Sequence, residues 1–130
     1  MPENITLILT YIIFIWVVIL HTFEEIACGI MELELGKIKV TRNKYLFAAS
    51  GISTLNLGTL ALLILGIPTG FYLALFTSAV IGILQAVVHS IGYFREGKKA
   101  QGLGSGFYTS IPLAIVGLIV FLQIIQIIST

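Results

Sequence analysis

The sequence predicts an all-α integral membrane protein, a bundle of four transmembrane helices, and three observations lead there. Of 130 residues, 58% are hydrophobic and only 10% are charged, with a mean hydropathy of +1.07. A soluble domain carries about 25% charged residues, so this chain cannot cover a water-facing surface. Four apolar segments are each long enough to cross a bilayer, and period-2 alternation is absent, which argues against a β-barrel. All seven Lys and Arg fall between these segments, in two clusters that a four-span chain places on one side. The length fits one domain, residues 1–130.

The first span is expected over about residues 5–31. Its leading residues Met1-Pro2-Glu3-Asn4 contain no Lys or Arg, unlike a cleaved signal peptide, so the helix reads as retained. The following loop, 32–44, holds Lys37, Lys39, Arg42 and Lys44. Its run Glu32-Leu33-Glu34-Leu35-Gly36-Lys37-Ile38-Lys39-Val40 alternates charged and apolar residues, which suits a surface segment or a short hairpin turning at Gly36. The second span is expected over 45–67 and ends at the turn Ile67-Pro68-Thr69-Gly70. A third follows over 71–94. Arg95, Lys98 and Lys99 mark the next loop, 95–105, and the fourth span covers 106–128. The positive-inside rule makes both basic loops cytoplasmic and puts both termini outside, in a protein integral to the cytoplasmic membrane. The net charge of +1 gives no case for nucleic-acid binding, so the lipid bilayer is the partner the composition implies. The single cysteine, Cys28, excludes an internal disulfide.

The first span carries an expensive feature. His21, Glu24 and Glu25 share one helix face at i, i+3 and i+4. A carboxylate at the bilayer centre costs roughly 2.5–3.5 kcal/mol on an insertion scale, and less off-centre. Counted from residue 31, Glu24 and Glu25 lie roughly 9–11 Å deep and His21 roughly 15 Å. His89 and Gln85 lie roughly 9 and 15 Å from the end of the third span, and Asn56 roughly 18 Å from Lys44. Polar groups of three helices are thus expected together in the cytoplasmic half. Small-residue stripes, Ser78-Gly82-Gln85-His89-Gly92 and Gly106-Ser110-Ala114-Gly117, would let the third and fourth helices approach closely.

His21-Thr22-Phe23-Glu24-Glu25 in a first membrane helix resembles the HXXEE family of small, mostly prokaryotic integral membrane proteins, whose function is not established. Gln85-Ala86-Val87-Val88-His89 matches its Asn-x-x-x-His motif with Gln for Asn, and Leu103-Gly104-Ser105-Gly106 keeps only the last glycine of a Tyr-x-Pro-Gly motif. The resemblance implies an enzymatic character and names no substrate.

Two carboxylates beside two neutral imidazoles sum to −2, which a divalent cation would neutralise in a low-dielectric setting. Histidine ligands favour Zn, Fe or Mn over Mg or Ca. His21, Glu25 and His89 are the expected ligands, Glu24 the general acid/base, and Gln85 and Asn56 the outer polar groups that orient a ligand or substrate. The leading expectation is a metal-dependent membrane enzyme, hydrolytic or redox, acting on a lipidic or small apolar substrate. One alternative is a proton- or ion-handling subunit without metal, which would need to form a homo-oligomer. The other is a partner-binding protein whose glutamates only snorkel to the interface.

Overall fold

The computed structural model describes residues 4–30 and 34–130. The expected end of the first span at Met31 and the start of the basic loop, Glu32-Leu33, lie outside the described residues. Four long helices make the fold: α1 (Ile5–Ala27), α2 (Arg42–Ile64), α3 (Thr69–Arg95) and α4 (Phe107–Ser129). Each is long and apolar enough to cross a membrane, so the chain is a four-helix membrane bundle. Between α1 and α2 a two-residue hairpin forms, β1 (Glu34–Leu35) antiparallel to β2 (Ile38–Lys39), with Glu34 opposite Lys39. The turn falls at Gly36, as the alternating pattern allowed.

Helix boundaries differ from the sequence reading by a few residues, and each shift has a local cause. α1 stops at Ala27 because the chain turns at Gly29, with φ +81°. α2 starts at Arg42, inside the basic cluster, because the Thr41 hydroxyl accepts from the Lys44 backbone N–H at 3.3 Å and caps it. Within α3 the helix widens to π-type turns over Ser78–Leu84. Such segments occur mostly as single inserted turns, often near functional sites.

The core is a seam between α1, α3 and α4. Tyr11, Phe14, Ala74, Leu113, Val120 and Ile124 are fully buried in it. The small stripes meet there: a Cβ built on Gly82 would lie 3.2 Å from the Gly117 Cα, so α3 and α4 touch through backbone. Leu, Ile, Val and Phe on the outer faces stay exposed, as lipid contact requires. α2 buries side chains only at one end. Its buried residues, Asn56, Thr59 and Leu63, all lie in its second half, and the first half touches α1 chiefly through the Tyr45 hydroxyl, which donates to Thr22 and Glu25. At the opposite end of the fold the two basic loops come together: Glu34 and Glu96 line one cleft with Cys28 and Gly102. Tyr93 stacks on Phe107 there at 3.9 Å, tying the end of α3 to the start of α4.

A candidate metal centre

Measured from the true end of α1, His21 lies six residues, about 9 Å, from the helix terminus. His89 lies equally far from the end of α3. The two histidines therefore meet at one level, their rings edge to face at 4.8 Å, and both are almost fully buried. Glu25, a turn beyond His21, places Oε1 at 3.1 Å from His89 Nε2 and 3.6 Å from His21 Nε2. One ligand atom from each of these three residues lies within 4.8 Å of the others.

The hydrogen bonds on the far side of each ring fix its tautomer. His89 Nδ1 lies 2.8 Å from the Leu103 carbonyl, which can only accept, so Nδ1 carries the proton. For His21 the link is Thr109. The Thr109 hydroxyl donates to a Glu24 carboxylate oxygen, so its lone pair receives the His21 Nδ1–H at 2.9 Å. Both rings, when neutral, then point an unprotonated Nε2 at Glu25. Among the described residues neither Nε2 has a hydrogen-bond partner. Three acceptors converge with no donor between them, an arrangement that a cation or added protons must balance.

Glu25 is held from its other side. The Tyr45 hydroxyl of α2 donates to Glu25 Oε2 at 2.9 Å. Glu24, the expected acid/base, occupies a different place. Its oxygens accept from the backbone N–H groups of Tyr108 at 3.2 Å and Thr109 at 2.8 Å, capping the N-terminus of α4 from another helix. The positive end of the helix dipole accounts for a carboxylate there. Glu24 thus reaches His21 only through Thr109, and it positions that ring instead of facing the ligand cluster.

Gln85 lines a cavity beside His21 and Glu25, one turn before His89. Asn56 stands apart from the cluster. Its Oδ1 accepts from the Tyr11 hydroxyl at 2.8 Å, its Nδ2 donates to the Ile52 carbonyl, and Thr77 lies 2.9 Å from the same tyrosine. Tyr11 is ten residues from His21, about 15 Å along α1, so the polar groups form two layers and not the single one expected. The Tyr11–Asn56–Thr77 layer has its hydrogen bonds filled and reads as helix–helix glue. The histidine layer does not.

Four contributors escape sequence reasoning: Tyr45, Thr109, the Leu103 carbonyl and Gly106. Gly106 is the one with a signal, as the retained glycine of the third motif. It holds φ +83°, and a Cβ there would sit 2.6 Å from His21 Cε1 and 2.9 Å from Glu25 Cγ. Only glycine lets the chain enter α4 against the histidine. Gly92 does the same for the other ring, since a Cβ there would lie 2.5 Å from the Leu103 carbonyl carbon. The loop of residues 96–106 therefore belongs to the site.

A cavity of about 310 Å³ opens beside the cluster. His21, Glu25, Tyr45 and Gln85 form its polar wall, Val18, Ile52 and Ile81 its apolar depth, and Lys39 and Lys44 its rim. Comparison with protein-family profiles, with curated proteins and with solved structures finds no match for the chain, so the functional reading rests on this geometry.

Proposed function

We propose that the protein is a metal-dependent membrane enzyme, with His21, Glu25 and His89 as ligands of a divalent Zn, Fe or Mn ion, acting by hydrolysis on a lipidic substrate. The observation that carries this reading is the pair of orphaned Nε2 atoms aimed at one carboxylate oxygen. Histidine ligands ordinarily donate their second N–H to a carbonyl or carboxylate, and here Leu103 serves one ring and the Thr109–Glu24 pair the other. The donor set of two imidazoles and one carboxylate is the kind that leaves a fourth position open on a catalytic zinc. A bound ion would supply Lewis acidity to a substrate carbonyl. The chain's own residues do the rest. Tyr45, bonded to Glu25 and lining the cavity, holds that carboxylate in place from the side away from the histidines. Glu24 and Thr109 hold the His21 tautomer. The HXXEE resemblance agrees with an enzymatic role for these motif residues.

The site faces the end of the bundle that carries both basic loops, and the positive-inside rule assigns that end, loops 32–44 and 95–105, to the cytoplasm with both termini outside. The competing reading is proton handling, since 3.1 Å between His89 Nε2 and Glu25 also fits an added proton. Elemental analysis of detergent-purified protein bearing a non-histidine tag separates the two. Near-stoichiometric Zn, Fe or Mn in the wild type, lost in His21→Ala, Glu25→Gln and His89→Gln, is expected. A folded wild type that holds no metal, even after equilibration with each ion, overturns the metal reading and leaves proton handling.

A further inference from the structure

The cavity's chemistry narrows the substrate class, an inference that rests on the proposed enzymatic reading. We infer that the cavity binds an anionic amphiphile with a single acyl chain, taken up sideways from the membrane between α1 and α2. Three features argue for it. Apart from Tyr45, whose hydroxyl reaches Thr22 and Glu25 on α1, the first half of α2 buries no side chain against the bundle, and the cavity lies between it and α1, lined by Ala48 and Ala49 on the α2 side. Inside, Val18, Ile52 and Ile81 offer an apolar surface with no polar group to satisfy. At the rim the charges are asymmetric. Lys39 is paired with Glu34 at 3.2 Å, but the Lys44 ammonium reaches only the Lys39 carbonyl, at 3.3 Å, and has no carboxylate partner among the described residues.

Lys44 is therefore an exposed cation on the rim of an apolar slot, where an anionic head group would find a partner. A fatty-acid carboxylate or a lipid phosphate satisfies it equally. The volume, about 310 Å³, lies at the small end of the range of about 300–1,000 Å³ for small-molecule sites, which leaves room for the head-group end of one chain. Seated this way, the bonds next to the head group lie along the wall formed by His21, Glu25 and Tyr45.

The test measures binding of oleate, lyso-phosphatidate, oleyl alcohol and oleylamine to the full-length protein in detergent, by native mass spectrometry and ligand-induced thermal shift. Both anions are expected to bind at one per chain and the alcohol and amine at least about tenfold more weakly, the factor expected for loss of one charge-assisted pair worth ~1.4 kcal/mol. Preference between the two anions distinguishes carboxylate from phosphate head groups. Lys44→Glu should abolish the anion preference, and Ala49→Phe, filling the slot, should abolish binding, with metal content and helicity unchanged in both. Equal binding of oleylamine and oleate, or anion binding indifferent to both substitutions, overturns the proposal. His89→Gln keeps the two readings apart: it should lose metal and still bind oleate, so failure of the metal reading leaves the lipid result standing on its own.

Discussion

Glu24 and Glu25 are neighbours in sequence with opposite employments. Glu25 faces two imidazoles, whereas Glu24 faces the N-terminus of α4. Substituting each should separate the roles. Glu25→Gln is expected to abolish metal binding with little change in unfolding, because an amide can still accept from Tyr45. Glu24→Gln removes a charge that caps two backbone donors and should destabilise the bundle by about 1–3 kcal/mol, read from unfolding in detergent. It should retain metal at lower affinity. Thr109→Val isolates the tautomer effect, since it leaves the carboxylate cap and removes only the hydroxyl between Glu24 and His21. An affinity loss of about 10–100-fold in metal titration is expected, the usual effect of removing a ligand's outer hydrogen-bond partner. Unchanged affinity would show that the His21 ring is oriented by packing alone.

At the scale of elements, the site depends on how closely the loop after α3 can approach both rings. Gly92→Ala pushes that loop away from α3 and breaks the His89–Leu103 bond. Gly106→Ala drives a methyl into His21 and strains a left-handed residue, which costs about 1–2 kcal/mol before the clash is counted. Both variants should remain helical and bind metal weakly, measurable by circular dichroism beside metal titration. This is also where the sequence was least legible. The span pattern revealed four helices because hydropathy is a property of each segment by itself. His21 and Glu25 stood out because they share one helix face, and His89 because the third helix carries it at the same depth. Tyr45 resembled any interfacial tyrosine, and nothing in residues 96–106 announces that a backbone carbonyl there orients a histidine. Asn56 misled because depth was counted along one helix. Its partner Tyr11 lies toward the start of α1, and only the packing of three helices reveals that second layer.

For the whole molecule, the two ends of the bundle differ in kind. Toward one lies the hydrogen-bonded Tyr11–Asn56–Thr77 layer, and the other holds the histidine cluster, the cavity beside it and every Lys and Arg. The proposed topology makes that second end cytoplasmic. In a Cys28→Ser background, a cysteine at Lys98 should react with a membrane-impermeant thiol reagent only in inverted vesicles, and one at Thr130 only in intact cells. The opposite pattern would place the cavity rim outside and require a substrate from that side.

The carboxylate cap on α4 also bears on how the chain is made. Glu24 precedes Thr109 by 85 residues. A chain inserted from its N-terminus must commit a charge to the bilayer well before the helix that receives it exists. Its place three residues from the end of α1 keeps that charge within reach of surface water during the wait. The carboxylate committed with α1 is thus matched only when α4 has formed, and a chain cut short before Gly106 would carry that acid without the backbone donors that satisfy it.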